Sequence, residues 1–228
     1  MSNYVIKQPK QACIKIKNSS DLFPVRRIYC IGRNYADHAI EMGFDPNKEP
    51  PFFFQKNPDN IVIDGKFPYP PETKDVHHEL EMVVALKSGG SNISEKDAYK
   101  HIFGFAVGLD MTRRDLQGVA KKMGRPWEIG KAFEKSAPIS TLTKIEDTGK
   151  MEEGKIVLKV NSEVRQEGNL NMMIWKIPEM IAHLSKFYDI SGGDIIMTGT
   201  PAGVGPVQKG DKLVGSVKGL DNLEVTVS

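Results

Sequence analysis

The chain has 228 residues, 39% hydrophobic and 26% charged, with a formal charge of +2 from 31 basic and 29 acidic side chains. That length supports one sizeable core with a small N-terminal appendage, and the near balance of charge argues against a nucleic-acid footprint. No run approaches the roughly 18 uninterrupted apolar residues of a membrane span, residues 1–20 carry no long apolar signal core, and Cys13 and Cys30 build no disulfide framework, so a cytoplasmic, reducing setting is expected.

Residues 1–24 read as a short segment packed on the core: Tyr4 and Ile6, then Ala12, Ile14 and Ile16, alternate as an edge strand or hairpin would, and Pro24 closes it. A strand through Ile28, Cys30 and Gly32 leads into GRNYADHAIEMG, where Asn34 can cap a short helix, Asp37 faces its positive end and Gly43 stops it. On that helix His38 and Glu41 lie three apart and therefore adjacent. A surface pair has the same spacing, but the Gly32-Arg33-Asn34 approach looks like a functional loop. Residues 52–54, all Phe, read as a buried strand, and Lys56 beyond it is either a surface lysine or an anion-binding group. Residues 61–63 and the Asp64-Gly65 turn resume the sheet pattern, before a rigid loop holding Pro68, Pro70 and Pro71.

VHHELEMVVAL, residues 76–86, sets carboxylates into an otherwise apolar strand. Alternation puts His77, Glu79, Glu81, Val83 and Ala85 on one face, and His78, Leu80, Met82 and Val84 on the other. Two carboxylates on a face that continues into Val83 and Ala85 repel and lose hydration unless a cation sits between them. A solvated strand end would carry the same E-x-E. A loop over 87–92 and a capped helix from Ser94 to about His101 follow. FGFAVGLD, residues 103–110, then reads as a second interior strand. Its Gly104, Ala106 and Gly108 face implies a close backbone approach, and its end presents Asp110. Glu79, Glu81 and Asp110 make an oxygen set suited to Mg2+ or Mn2+, with waters or substrate oxygens completing an octahedron.

Thr112 and Asp115 have capping spacing, predicting a helix over about 113–123 that ends at Gly124. Gln117, seven residues beyond Asp110, is placed to face back over the site; Lys121, Lys122 and Arg125 read as a solvated helix end. Trp127 and Phe133 anchor the next segment by burial, and Gly130 and Ala132 leave Lys131 room to turn inward, although by itself it reads as a surface lysine. Residues 141–154 read as a polar loop, followed by a hairpin over 156–166 turning at Asn161-Ser162. Asn171 can cap a stripe of Ile174, Ile177, Met180, Ile181 and Leu184, with Pro178 forcing a kink or two short helices. A strand over 195–198 opens into TGTPAGVGP, a carboxylate nest without the lysine and spacing of a P-loop. The tail, 212–227, alternates as two strands.

A metal carboxylate site, a His–Glu pair, an inward lysine and an anion nest suit a small 2-oxo acid as substrate. His38 would take a proton from water with Glu41 holding its ring, and Lys131 and Gln117 would polarise a carbonyl or fix the water. No G-x-S-x-G offers a serine nucleophile.

From about residue 25 to 227, the motifs GRNYADH with Glu41, FFFQKNPD, HHELE, GLDMTRRDLQ, PWEIGKAF, NSEVRQEGN and TGTPAGVGP resemble the fumarylacetoacetate hydrolase family, close to its small acylpyruvase members. The resemblance implies an α+β fold, a β-rich mixed roll, with residues 25–228 as the catalytic domain, and a homodimer. It implies Mg2+ or Mn2+ at Glu79, Glu81 and Asp110, a His38–Glu41 dyad that activates water, and active-site roles for Lys131 and Gln117. It also places Arg33, Lys56 and Thr200 in segments that contact substrate oxygens. The implied reaction is hydrolysis of a C–C bond in a 2,4-dioxo acid such as fumarylpyruvate, giving pyruvate and a carboxylic acid. Oxaloacetate decarboxylation, or isomerisation or tautomerisation of an unsaturated 2-oxo diacid, are the alternatives. Keeping both His38 and Glu41 favours hydrolysis, because tautomerisation needs no activated water, and the aromatic-Gln-Lys-Asn-Pro run is nearer the fumarylpyruvate hydrolases.

Overall fold

The computed structural model describes residues 4–36 and 50–228. Its central sheet has six strands: β1 (Arg27–Gly32), β2 (Phe52–Lys56), β3 (Leu80–Leu86), β4 (Ile102–Leu109), β5 (Thr143–Lys144) and β6 (Asp194–Met197). They lie in the order β5-β4-β3-β6-β1-β2. Only β6 and β1 run parallel; the other neighbours are antiparallel. The sheet is mixed and lies in an α+β fold, as expected from the family resemblance.

The alternation read from the sequence decides what each face meets. Leu80, Met82, Val84 and Leu86 of β3 pack, with Phe105, Val107 and Leu109 of β4, against a second, five-stranded sheet through Ile156, Leu158, Leu213 and Val225. Each such side chain, wholly withdrawn from water, contributes about 1.5–3 kcal/mol. The opposite face, with Val83, Ala85, Ala106, Ile28 and Ile195, is covered by Ile14 and Phe23 of an N-terminal hairpin and by Ala137 and Ile139. Gly104 permits a close approach: a Cβ there would lie 2.2 Å from the Thr143 carbonyl, so β5 pairs with β4 only because that side chain is missing.

Five short helices join these strands among the described residues: α1 (Glu95–Ala98), α2 (Arg114–Lys122), α3 (Glu128–Lys131), α4 (Ile145–Thr148) and α5 (Ile177–Leu184). None is long and apolar enough to cross a membrane. Pro178 sits in the first turn of α5, where its missing N–H is harmless, and a separate 3-10 turn over Leu170–Met172 precedes it. Two short helical pieces therefore replace a kinked one, and Asn169, not Asn171, caps the first. The hairpin of Lys155–Val160 and Glu163–Asn169 turns through Asn161 and Ser162, both at positive φ (50° and 72°), as a two-residue primed turn requires.

Two expectations are corrected. Residues 141–154 are not simply a loop: Leu142 is buried, β5 edges the central sheet and α4 follows. The three Phe of β2 are only partly buried, because β2 is an edge strand. The Asn34 amide donates to the Thr198 and Trp175 carbonyls at 2.8 and 3.0 Å, and its Oδ1 accepts from Trp175 N at 2.7 Å. The remainder of the predicted helix, with His38 and Glu41, lies outside the described residues.

Candidate metal centre

The sheet positions the acids by ending. Just before β3 the chain leaves the central sheet, and Val76–His78 pairs instead with Thr112–Arg113 and Gly205–Pro206. Glu79 occupies that break, Glu81 follows two residues into β3, and Asp110 comes directly after β4; the Asp110 N–H donates to the Glu79 carbonyl at 2.8 Å. One carboxylate oxygen from each of Glu79, Glu81 and Asp110 lies within 4.8 Å of the others, and all three residues are buried.

Lys131, 1% exposed at the end of α3, binds this floor together. Its Nζ donates to Glu79 Oε2 at 2.8 Å, Asp110 Oδ2 at 2.7 Å and Thr112 Oγ1 at 2.7 Å. Burial works to strip its proton, but the Asp110 and Glu79 charges outweigh it and hold its pKa above the ordinary lysine value. Arg114 Nη2 donates to Glu79 Oε1, and its Nη1 to Gln117 Oε1 at 2.6 Å. Lys56 stands behind Asp110: its Nζ lies 2.8 Å from Oδ1 and donates to the Met111 carbonyl at 3.1 Å and to the Lys131 carbonyl.

Glu81 is treated differently. It has no ion pair among the described residues, and its Oε2 accepts only the Gly199 N–H, at 2.7 Å. Burial, then the Asp110 and Glu79 charges, push its pKa well above the usual carboxylate range. Asp110 Oδ1 is buried and, despite the nearby Lys56 charge, accepts no aligned hydrogen bond. An under-neutralised carboxylate beside an oxygen with a vacant lone pair is what a hard divalent cation satisfies, and the all-oxygen donor set matches Mg2+ or Mn2+.

Above the floor lies a cavity lined by Arg33, Phe52, Phe54, Glu79, Glu81, Arg114, Gln117, Lys121, Trp127, Lys131 and Thr200. The predicted residues Arg33, Gln117, Lys131 and Thr200 thus meet the acids, whereas Lys56 reaches them from behind. Gly199, at φ +91° and with a Cβ position 2.6 Å from Asn34 Cβ, lets the glycine-rich loop turn its N–H onto Glu81. The nest inferred from TGTPAGVGP therefore holds a carboxylate of the protein itself. The Thr200 hydroxyl is likewise engaged, donating to the Leu80 carbonyl at 2.7 Å and accepting from Gln166 Nε2 at 2.8 Å.

Several contributors escaped the sequence reading. Thr112 is no cap: it lies in a short strand against His77, and its hydroxyl serves Lys131. Asp115 accepts instead from the Thr73 hydroxyl at 2.6 Å and the Lys74 N–H at 3.0 Å. Gln166, on the hairpin, accepts from Leu80 N and meets His78 Nδ1, both at 3.0 Å, while donating to the Pro201 carbonyl at 2.8 Å. Burial brings the His78 pKa down to about 4, so the ring is neutral and its Nδ1 carries the proton toward Gln166. Lys121 is not a solvated helix end: it is half-buried and lines the cavity.

The family model described as fumarylacetoacetate (FAA) hydrolase C-terminal matches residues 27–228. A fumarylpyruvate hydrolase of Ralstonia sp is 43% identical over 184 residues, covering 80% of this chain and 95% of that protein. An oxaloacetate tautomerase of Escherichia coli is 42% identical over 194 residues, covering 84% and 88%. The crystal structure of fumarylpyruvate hydrolase from Pseudomonas aeruginosa, in complex with Mn2+ and pyruvate, is similar with a TM-score of 0.97 and 45% identity, covering 99% of each chain.

Proposed function

The chain belongs to the fumarylacetoacetate hydrolase family, and from that premise we propose that it is a Mg2+- or Mn2+-dependent hydrolase that splits a C–C bond of a 2,4-dioxo acid, fumarylpyruvate foremost, into pyruvate and a carboxylic acid. The observation that carries this reading is the buried Glu79–Glu81–Asp110 triad at the base of a cation-lined cavity. The similarity to a hydrolase holding Mn2+ and pyruvate supports it further.

In this reading a cation at the triad supplies Lewis-acid stabilisation for negative charge developing on the pyruvate oxygens. Lys131 fixes the outer oxygens of Glu79 and Asp110, Gly199 N–H fixes Glu81, and Lys56 sets the rear of Asp110. His38, oriented by Glu41, takes the proton of the attacking water. Gln117, Arg33 and Thr200 contact substrate oxygens from the cavity wall. The reading includes a homodimer, which sedimentation velocity tests directly: a monomer at working concentration would remove that part.

Oxaloacetate tautomerisation is the second reading, because the Escherichia coli relative of that name is almost as similar as the hydrolase of Ralstonia sp; oxaloacetate decarboxylation is the remaining alternative. Pyruvate release with Mg2+ from fumarylpyruvate and acetylpyruvate, set beside oxaloacetate turnover, separates them. Fumarylpyruvate is expected to be cleaved with the highest kcat/KM, and His38→Ala to abolish cleavage. Proton exchange at C3 without fragmentation, or oxaloacetate turnover favoured by more than about tenfold, would replace the hydrolase reading.

A further inference from the structure

Helix α2 presents Arg114, Gln117 and Lys121 at i, i+3 and i+7, one stripe along its surface, and all three line the cavity. The first two are engaged: Arg114 with Glu79 and Gln117, and Gln117 with Arg114. Lys121 has no hydrogen bond or ion pair among the described residues. Its ammonium instead sits 4.9 Å from the Trp127 ring centre, and Phe52 and Phe54 pack against that ring at 5.2 and 5.6 Å between centroids. A lysine that merely decorated the helix would carry its charge out to water along a flexible stem. This one is half-buried over an aromatic wall, near enough to Arg33, Arg114 and Lys131 to feel their repulsion, with Glu79 opposing them. An anion in front of Lys121 would relieve that crowding of like charge.

We propose that Lys121 binds the distal carboxylate of a dianionic 2-oxo acid whose 2-oxo end lies at Glu79, Glu81 and Asp110, so that Lys121 selects long diacids over short or monoanionic ones. This rests on the hydrolase reading for the placement of the 2-oxo end. Seven residues of helical rise put Lys121 about 10 Å along α2 from Arg114, whose guanidinium touches Glu79. That offset along the helix favours a 2,4-dioxo diacid with an extended acyl arm, such as fumarylpyruvate, over oxaloacetate with its short spacer, and acetylpyruvate has no second carboxylate to offer. The contact lies away from the bond that breaks, so it holds substrate and transition state equally and acts on KM with little change in kcat.

The test uses two ligands on one carbon skeleton, 2-oxoheptanedioate and 2-oxoheptanoate, which differ only in the distal carboxylate and have no 4-oxo group to support cleavage. Their affinities for the Mn2+-loaded protein are measured by calorimetry on wild type, Lys121→Gln and Lys121→Arg. Wild type is expected to prefer the diacid by about tenfold or more, Lys121→Gln to lose the preference with 2-oxoheptanoate affinity unchanged, and Lys121→Arg to keep most of it. In turnover, Lys121→Gln is expected to raise KM for fumarylpyruvate by about tenfold and leave acetylpyruvate alone. Equal binding of the two ligands by wild type, or an unchanged preference in Lys121→Gln, would overturn the assignment. A wild-type protein that prefers the diacid yet cleaves no dioxo acid upholds Lys121 and removes the hydrolase reading instead.

Discussion

On the floor of the cavity Lys131 gives one hydrogen bond each to Glu79, Asp110 and Thr112, whereas on the rim Lys121 has, among the described residues, only the face of Trp127. Burial disfavours both ammoniums. At Lys131 the neighbouring carboxylates win and the pKa rises above that of an ordinary lysine. At Lys121 burial, joined by the repulsion of Arg114, wins over the Glu79 charge and brings the pKa down to about 8. The same residue type, in one cavity, is a structural counter-charge in one place and a charge awaiting a partner in the other. What separates them is the number of acceptors the fold delivers, which is set by the break before β3 and by the stripe on α2.

The largest expected effects come from breaking the floor, and two substitutions there have opposite signs in the metal-free protein. Lys131→Met removes the cation shared by Glu79 and Asp110, leaving Glu79 to Arg114 and Asp110 to Lys56, and is expected to destabilise by about 3 kcal/mol in urea, the lower end of the about 3–5 kcal/mol lost when a buried charge is stranded outright. Glu81→Gln removes the one acid of the triad that has no cationic partner among the described residues, and is expected to leave metal-free stability unchanged or raised. The same substitution should weaken Mn2+ binding, followed by calorimetry, by at least about a hundredfold. If Glu81→Gln destabilises the metal-free protein as much as Lys131→Met does, Glu81 is not the under-neutralised member of the triad.

That contrast also marks what was legible in the sequence. The triad was legible as a candidate, because two-residue periodicity puts Glu79 and Glu81 on one face and the small-residue strand delivers Asp110 at its end. A solvated strand end carries the same E-x-E, however, and the family resemblance is what singles these three out. Gly130 and Ala132 leave Lys131 room to turn inward, but by itself it reads as a surface lysine, and the family resemblance is what assigns it to the site. Thr112 was misread because S/T-x-x-D spacing is identical for a helix cap and for a hydroxyl captured by a distant lysine, and only tertiary pairing with His77 decides. Glu79 lies 35 residues from Arg114, and Thr200 and Leu80 lie 34 and 86 residues from Gln166, so no local pattern announces these pairings. Lys121 looked solvated because a basic helix end is usually so, and the aromatic wall that buries it is assembled from β2 and Trp127.

Gln166→Leu tests the seam between floor and core with an intermediate effect. The substitution leaves Leu80 N–H, His78 Nδ1–H, the Thr200 hydroxyl and the Pro201 carbonyl each short of a partner in a buried setting. A loss of about 2–4 kcal/mol by urea denaturation is expected, since each unsatisfied buried group costs about 1–3 kcal/mol and relaxation recovers part. A loss below about 1 kcal/mol would show that this network does not hold the start of β3 in place.

The rim should show itself in pH dependence. A lysine whose pKa is lowered to about 8 keeps its proton below that pH and loses it above, so the anion-binding form of Lys121 disappears as the solution becomes alkaline. KM for fumarylpyruvate is therefore expected to rise above about pH 8 and level off at the about tenfold higher value of Lys121→Gln, while KM for acetylpyruvate stays flat over the same range. Any titration of the water-activating pair acts on both substrates alike and cancels in the ratio of their kcat/KM values. In Lys121→Arg the guanidinium stays charged throughout, so the alkaline rise should vanish. Parallel profiles for the two substrates would place the titrating group on the floor after all, and the distinction between the two lysines would then fail where it matters for substrate choice.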